Sequence, residues 1–521
     1  MKSIYKLAFL GLLTLSIMSS CSEDLLETSP TTSVDTGQLM GSTSKAIGAL
    51  NGIYRFMYTA NYTSRWQHEE FGITAFNHVA DLEGEDMIQQ AAGSGWFWYD
   101  YLFDVKGDYT HNGGRPYGTW NFFYTIISNA NYLIAADATM TGDEKEKNYI
   151  VGQAYALRAL GYFYLAQVYA RNFVDYPTDP CVPIYTEPTV KGTKGKPRAT
   201  TTEVYQQINS DIKAAIEKMK AAKAVRDSKS HLGLGELYGL AARIALVEEK
   251  WQEAKTYAES AIVEAEKENI GIAVVSNFLG LNKVDYKNVM WGLKIVSDQS
   301  TQYASYFTHM DADLGKYGAT ARIQGSKVLY ALMGEKDERR IWWNPKDKHN
   351  GFNEDSTEVL SGYQQEKLKF SNKATFEGDY ILMRIEEMYL IKAEAQCMLG
   401  DDAGAQQTLM EVMKQRDVDY KCVKTGKDLA VTSNPLIKTG SLREEIINQR
   451  RIELWGEFGR IFDIRRLHQG VYRSEEQGHP SAALVKGIDN KDSYKWVMTI
   501  PQSEFDGNSA LDPQKDQTPM D

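Results

Sequence analysis

The chain has 521 residues, of which 43% are hydrophobic, and this is enough for a large folded core. Its formal net charge is −11 at pH 7, which disfavours nucleic acid as a partner because the phosphate backbone attracts basic surfaces. The three cysteines that follow Cys21 are widely spaced, which excludes a disulfide framework and the usual zinc-ligand spacings.

The first 20 residues predict a lipoprotein signal peptide. Lys2 and Lys6 flank the start of an apolar run over residues 7–18, which is too short to span a bilayer. Two serines then precede Cys21 in the arrangement of a bacterial lipobox, where the thiol accepts a diacylglycerol and cleavage occurs just before the cysteine. Met18 stands where this motif usually has Leu. An ordinary secretory signal that contains a cysteine is the alternative.

Residues 21–42 predict a flexible stalk, because they are rich in Thr, Ser, Asp and Gly and include Pro30. Glu23 and Asp24 directly follow the cysteine, as in the export signal that sends some lipoproteins to the outer face of the outer membrane. A merely solvated tether is the alternative. We therefore expect a lipid-anchored protein of the cell outer membrane that faces the exterior.

Helical periodicity dominates the remaining chain. It predicts helices over residues 119–138, 143–170, 203–219, 231–249, 251–268, 380–399, 402–415 and 441–468. Thr201 or Thr202 is expected to cap the third helix, and Ser441 with Glu444 predicts a capping box for the last. Long irregular segments remain at 59–118, 172–200, 270–378 and 420–439. Loops of that length are often functional, so we expect ligand contacts there.

Two of the predicted helical hairpins share one residue spacing. The offsets of 4 and 12 recur in Tyr238, Ala242 and Ala254 and in Tyr389, Ala393 and Ala405. This is the spacing of a tetratricopeptide (TPR) helix pair, in which small alanines let two helices cross closely. Any alanine-rich hairpin is an alternative source of the same pattern.

Four short stretches form an ordered set along the chain. They read ALRALGYFYL at 156–165, MRIEEMYLIKAEA at 383–395, RRIELWGEFGRIFDIRR at 450–466 and IPQSEF at 500–505 followed by Asn508. In this order, behind a lipoprotein signal, they resemble the SusD/RagB family of surface glycan-binding lipoproteins. The resemblance covers nearly the whole mature chain. Phe458 stands where the family usually has Gly, and Ser509 where Pro is common.

The resemblance implies a mainly α, SusD-like single domain over residues 43–521, with an N-terminal part to about 270 and a C-terminal RagB/SusD part from about 271. TPR-like helix pairs would support an irregular ligand-binding half. It also implies a partner, a SusC-like TonB-dependent outer-membrane transporter on which the protein sits as a lid. The ligand would be an oligosaccharide, or for some members a peptide, and no catalysis or cofactor is implied.

The best candidates for ligand contact are aromatic. Trp96, Trp98, Tyr99 and Tyr101 lie in one run of the first long irregular segment. In an extended strand the two tryptophans would face one way and the two tyrosines the other. One face would then pack against the core while the other stacks on the C–H faces of sugar rings. Packing of the tryptophans into the core is the alternative.

Further candidates come from other irregular segments and from polar side chains. Tyr303 and Tyr306 form a second predicted aromatic wall. Asp81, Asn112 and Arg115 are candidates for hydrogen bonds to sugar hydroxyls.

The motif at 450–466 carries alternating charges, with Arg450, Glu453, Glu457, Arg460 and Asp463 on one helical face. Paired carboxylates also occur in glycoside hydrolases. Interleaved arginines lower carboxylate pKa values, however, so a structural ion ladder is the favoured interpretation.

The sequence thus predicts a glycan-capture protein that is not an enzyme and holds no metal or cofactor. The acidic run at 81–86 lacks the EF-hand spacing of a calcium loop, and no transition-metal or nucleotide fingerprint is present. Two alternatives stay open. One is a TPR-type protein-interaction or peptide-uptake lipoprotein without glycan binding, and the other is a surface glycoside hydrolase.

Overall fold

The computed structural model describes residues 40–63, 67–104, 114–345 and 363–519. The predicted signal peptide, Cys21, most of the predicted stalk and Asn112 lie outside the described residues.

The fold is mainly α-helical. Among the described residues, the first eight helices are α1 (Thr43–Phe56), α2 (Ile73–Leu82), α3 (Trp98–Tyr101), α4 (Gly114–Ala135), α5 (Glu144–Tyr169), α6 (Thr201–Ala222), α7 (Leu234–Val247) and α8 (Trp251–Lys267). The remaining ones are α9 (Tyr306–Met310), α10 (Tyr317–Thr320), α11 (Lys327–Ala331), α12 (Ile385–Met398), α13 (Asp402–Met413), α14 (Leu442–Glu453), α15 (Arg460–Arg466) and α16 (Gln502–Gly507). The prediction of a mainly α architecture is confirmed.

Small side chains explain how the long helices pack. The pairs α4–α5, α5–α6, α7–α8, α8–α12 and α12–α13 lie against each other. Ala254, Ala258 and Ala261 of α8 are fully buried at its crossing with α7, so the two predicted hairpins are present as helix pairs. One continuous hydrophobic core reaches from Met40 to Leu511 and joins the N-terminal and C-terminal parts.

Two small antiparallel sheets accompany the helices. The strands β1 (Met87–Gln89), β3 (Ile323–Gly325), β5 (Gln364–Gln365) and β4 (Trp343–Asn344) form one sheet in the order β1-β3-β5-β4. The strands β2 (Val289–Leu293) and β6 (Tyr380–Arg384) form the other. A Cβ on Gly325 would lie 2.4 Å from Nε1 of Trp343, so only glycine lets this indole cover the sheet.

Two predicted helices are wrong in part. Residues 380–384 form β6 instead of the start of a helix, because this continuous apolar run pairs with β2 and is buried on both faces. The predicted helix over 441–468 is broken between α14 and α15, where Gly456 and Gly459 take φ values of +77° and +100°. These left-handed conformations end a right-handed helix.

Smaller differences concern caps and the irregular segments. The capping residue of α6 is Thr200, whose hydroxyl accepts from the Glu203 amide while the Glu203 carboxylate accepts from the Thr200 amide.

The segment over 59–118 contains the fully buried helix α2. Its apolar stretch is only ten residues long, which is too short for periodicity alone to reveal it.

The predicted ion ladder exists, but its partners lie on several elements. The carboxylate of Glu453 contacts Arg384 at 2.9 Å, Arg416 at 2.8 Å and Arg339 at 3.3 Å, and all four side chains are fully buried. Because the helix breaks after Glu453, Arg460 turns away and pairs with Glu85 at 2.8 Å. The charges therefore tie α14 and α15 to the core of the domain.

Candidate functional site

The aromatic run at residues 96–101 is folded into a tight turn, and the predicted extended strand is wrong. Gly93 and Gly95 have φ values of +54° and +89°, and the Gly95 amide donates to the Ala92 carbonyl at 2.7 Å. Phe97 is left-handed and its amide donates to the Glu69 carboxylate at 2.5 Å. The chain then enters α3 at once, so Trp96 and Trp98 do not share a face.

Trp96 instead joins rings from three other segments. The His68 ring lies 5.0 Å from Trp96, 5.2 Å from Tyr303 and 5.6 Å from Tyr317, measured between centroids. Tyr317 is also 6.1 Å from Trp96 and 5.8 Å from Tyr303. We call Trp96, His68, Tyr303 and Tyr317 the aromatic cluster. The aromatic cluster thus brings together Trp96, from the first aromatic run that the sequence singles out, and Tyr303, from the second predicted wall.

The ring planes of the aromatic cluster are turned relative to each other. His68 and Tyr303 are nearly parallel, at 16°, whereas Trp96 is tilted by 51° from His68. Tyr303 is 40% exposed and the other three rings are partly buried, so solvent reaches the cluster. The exposed parts of these rings provide stacking surfaces for a ligand with apolar faces.

Hydrogen bonds hold the loops that carry these rings. The Nε2–H of the buried His309 donates to the His68 carbonyl at 2.8 Å. The Tyr317 hydroxyl and Nδ1 of His68 are 2.5 Å apart. The Thr308 hydroxyl donates to the Gln302 carbonyl at 2.5 Å and thereby holds the backbone beside Tyr303.

The aromatic cluster is electrically neutral at pH 7. Burial lowers the pKa of His68 and raises the pKa of Tyr317, so both rings are uncharged. Burial also lowers the pKa of His309 to about 3, which leaves this imidazole neutral as well. Lys316 lies over the Tyr303 ring, with its ammonium 5.5 Å from the centroid. A neutral surface with one rim cation suits a neutral, hydroxyl-rich ligand.

A buried ion pair supports the turn beneath Trp96. Arg115 at the start of α4 contacts Glu69 at 2.6 Å and Asp100 at 2.9 Å, and its guanidinium lies over the Phe97 ring. All three charged side chains are almost fully buried. The prediction that Arg115 bonds a ligand is therefore wrong, because its buried guanidinium is paired with Glu69 and Asp100.

Three further predicted contacts are buried in the core. Tyr101 is fully buried and donates to Nδ1 of His479 at 2.5 Å, while the Tyr306 hydroxyl donates to the Gly456 carbonyl at 2.5 Å. The Asp81 carboxylate accepts from the Arg460 amide at 2.9 Å, and burial raises the pKa of Asp81. These side chains offer a ligand no surface, so the three predictions are wrong.

The remaining predicted side chains lie near the turn but outside the aromatic cluster. Trp98 is partly buried and packs on Tyr101, with centroids 5.7 Å apart. Tyr99 is 53% exposed and has no aromatic partner among the described residues. Sequence reasoning missed His68 and Tyr317, because no spacing links positions 68 and 317 to the two predicted walls.

Two acidic residues of the run at 81–86 are paired with arginines. In the run at 81–86, Glu85 contacts Arg460 at 2.8 Å and Asp86 contacts Arg451 at 2.7 Å. Within the described ranges, no group of three or more His, Cys, Asp or Glu side chains is arranged to hold a metal ion.

The buried carboxylates Glu453 and Glu457 lack the raised pKa of a general acid. Burial works to raise the pKa of Glu453, but Arg416, Arg384 and Arg339 outweigh it and hold this pKa well below its ordinary value. The pKa of Glu457 is lowered in the same way by Arg384 and Lys367, against the effect of burial. A glycosidase acid needs the opposite shift.

Comparison with known protein families matches both halves of the chain. A model described as "SusD family" matches residues 295–519, and one described as "Starch-binding associating with outer membrane" matches residues 50–246. The chain belongs to the SusD/RagB family. This membership confirms the resemblance seen in the four sequence motifs.

Relatives within the SusD/RagB family span nearly the full chain. SusD-like protein P2 of Formosa agariphila is 23% identical over 98% of this chain and 98% of its own length. A SusD-like carbohydrate binding protein from Bacteroides vulgatus is 26% identical, with a TM-score of 0.75 over 92% of this chain and 99% of its own. Surface glycan-binding protein A from Bacteroides fluxus shares the fold at 16% identity, with a TM-score of 0.66 over 91% and 99%.

The SusD-like fold of this chain contains no helix, in the part that the structure describes, with the length and apolar character needed to cross a membrane.

Proposed function

We propose that the protein is a surface lipoprotein that captures an oligosaccharide on the aromatic cluster and delivers it to a SusC-like TonB-dependent outer-membrane transporter. The observation that carries the proposal is the meeting of Trp96 and Tyr303 with His68 and Tyr317 at the surface. The relatives described as carbohydrate-binding support the choice of ligand class.

The geometry favours saccharide over other ligands of similar size. Sugar rings have C–H faces that stack on aromatic planes and hydroxyl edges that bond to water or to polar rims. The cluster is neutral, and its planes turn by 51° between His68 and Trp96, so successive rings of a bent chain can each meet a face. We infer binding without catalysis, since the buried carboxylates Glu453 and Glu457 are paired with arginine or lysine.

Affinity electrophoresis and titration calorimetry with soluble starch, laminarin, xyloglucan and arabinan test glycan binding. Trp96→Ala and Tyr303→Ala are expected to weaken binding by about tenfold or more each, the usual loss when an aromatic hot spot is truncated. Tyr99→Ala is the matched control, because its exposed ring lies outside the cluster.

Two results contradict glycan capture on the aromatic cluster. One is that no polysaccharide of the panel binds the wild-type protein. The other is that Trp96→Ala and Tyr303→Ala bind as tightly as wild type, whereas Tyr99→Ala binds less. Formation of shorter products from a bound glycan overturns the non-catalytic role.

The anchor and the partner are tested in cells. With Cys21 intact, the protein is expected in the membrane fraction, to incorporate labelled palmitate and to be cleaved by protease added outside. Cys21→Ala removes the thiol that the lipid modifies, so label and membrane retention are both lost. Purification of the intact protein from detergent-solubilised membranes is expected to recover a TonB-dependent transporter. If the purified protein carries no TonB-dependent transporter with it, the result contradicts the proposed partnership.

A further inference from the structure

A second concave surface lies along α4, away from the aromatic cluster. Its cavity of about 330 Å³ is bounded by α4, the segment over residues 185–195 and α16. The recess behind Trp96 holds only about 10 Å³, which is room for one water. Pockets that bind small molecules are typically about 300–1,000 Å³, and the cavity beside α4 has this size. We call it the α4 cleft.

Aromatic rings form one corner of the α4 cleft. The ring of Tyr124 lies 4.8 Å from that of Trp120 and 6.0 Å from that of Tyr185, with the Tyr185 plane turned by 71°. Both hydroxyls are engaged, since Tyr124 donates to the Pro183 carbonyl at 2.7 Å and Tyr185 accepts from the Lys196 amide at 3.1 Å. These bonds fix the positions of two rings that line the cavity.

The carboxylate of Glu504 also lines the α4 cleft. Glu504 accepts from the Trp120 indole N–H at 3.2 Å and from the Asn508 amide at 2.8 Å. Among the described residues no basic side chain lies within ion-pair distance of it. A carboxylate has about four acceptor positions, so Glu504 retains capacity for hydroxyl donors. Ser128 and Lys194 also line the cavity and add donors.

The composition of the α4 cleft excludes several ligand classes. A purely apolar ligand would strip water from Glu504 without replacing its hydrogen bonds, which is costly. A cation would suit the rings and the carboxylate, but Lys196 already places its ammonium 5.6 Å from the Tyr185 ring and repels a second positive charge. A strongly anionic ligand is repelled by Glu504. A neutral ligand with apolar faces and hydroxyl edges fits all three constraints.

We propose that the α4 cleft is a second saccharide-binding site, which holds one or two sugar units against Tyr124 and Tyr185 with hydroxyls bonded to Glu504. The inference rests on the proposed function for its ligand class. The two sites are linked through α4, because Arg115 beneath the aromatic cluster and Tyr124 in the cleft are nine residues, or about 14 Å, apart on one helix. A glycan that contacts both sites gains avidity from the second contact.

Calorimetry on four proteins tests the second site with the glycan panel named above and with maltoheptaose as a short probe. The proteins are the wild type, Trp96→Ala/Tyr303→Ala, Tyr124→Ala and Glu504→Gln. Glu504→Gln retains the size of the side chain and one of its acceptor oxygens, so it reports on binding even if Tyr124→Ala folds poorly. Glu217→Gln, an exposed change on α6, is the matched control.

The wild type is expected to bind two equivalents of maltoheptaose or of a panel oligosaccharide. The cluster double variant and Glu504→Gln should each retain one equivalent, with Glu217→Gln unchanged. Addition of maltoheptaose is expected to quench the fluorescence of Trp120 in the cluster double variant and not in Glu504→Gln, since Trp120 lines the α4 cleft.

The contrary outcomes separate the two proposals. Loss of all binding in the cluster double variant overturns the second site and leaves glycan capture on the aromatic cluster intact. Loss of all binding in Glu504→Gln, with the cluster double variant unaffected, overturns the aromatic cluster and leaves the second site. If the wild type binds no probe of the panel, both proposals fail.

Discussion

At the scale of single residues, burial separates the aromatic side chains that can meet a ligand from those that cannot. Trp96 and Tyr303 reach the surface, whereas Tyr101 and Tyr306 bond inside the core, although the sequence predicts irregular segments around all four. The exposure of Trp96 depends on the turn at Gly93 and Gly95 and on the buried ion pairs that hold this turn in place. Arg115 is the centre of these ion pairs.

We predict that Arg115→Met destabilises the protein by about 3–5 kcal/mol, because it leaves the buried carboxylates of Glu69 and Asp100 without their cation. Urea denaturation followed by circular dichroism measures the loss. Lys267→Met removes an exposed pair with Glu264 and is the control, with an expected change of less than about 1 kcal/mol. An equal effect of both changes contradicts the role of Arg115.

At the scale of the elements, close helix crossings and one buried charge network hold the framework. Gly161 lies where α5 crosses α4, and a Cβ there would come within 2.8 Å of Cγ1 of Ile127. Gly48 lies on the exposed side of α1 with nothing within 4 Å of such a Cβ. The same residue type thus has opposite roles in the two helices.

For this reason, Gly161→Ala and Gly48→Ala are expected to change the free energy of unfolding in opposite directions. Gly161→Ala overpacks the crossing and costs about 1–3 kcal/mol. Gly48→Ala adds helix propensity and stabilises by about 0.5–1 kcal/mol. Thermal melting of the two variants and the wild type shows which change stabilises the protein and which destabilises it. A gain in stability from Gly161→Ala would show that the crossing has spare room.

The charge network of α14 makes a second prediction at this scale. Glu453→Gln removes the charge that faces Arg339, Arg384 and Arg416, so three buried cations lose their shared partner and unfolding becomes easier by about 3–5 kcal/mol. Glu411→Gln, which alters an exposed pair with Lys414, is the control. A Glu453→Gln protein as stable as its control in guanidinium titration contradicts the network.

At the scale of the whole molecule, the two family halves meet in one core, and the aromatic cluster lies at their meeting. His68 and Trp96 come from the half matched over 50–246, whereas Tyr303 and Tyr317 come from the half matched over 295–519. Three buried histidines also lie in this region: His78, His309 and His479. Burial lowers the pKa of each of them, to about 3 for His309 and His479.

These histidines predict that stability decreases in mild acid. Their folded-state pKa values lie below the unfolded value of about 6.5, so the unfolded chain binds protons first. The stabilisation is complete above about pH 6.5 and is lost as the pH falls toward 3. Urea midpoints measured from pH 7.5 to 5 report this slope. His309→Asn is expected to flatten it, and an unchanged slope contradicts the assignment.

Much of the framework follows from local sequence. The helices α5, α8 and α13 agree with their predicted ranges within a few residues, because their apolar periodicity is strong and their starting points are capped or follow a turn. The strand β6 and the break between α14 and α15 do not follow from it, since pairing with β2 and positive φ values at two glycines decide them.

The sequence by itself determined the family and the mainly α-helical class, because ordered motifs and helical periodicity are properties of the chain in one dimension. It predicts the anchor at Cys21. It also identified Trp96 and Tyr303 as candidates. Only the tertiary structure decided that these two rings lie together with His68 and Tyr317, and that Tyr101, Tyr306, Asp81 and Arg115 belong to the interior. The reason is physical: exposure and contact between residues more than 200 positions apart depend on how the whole chain packs.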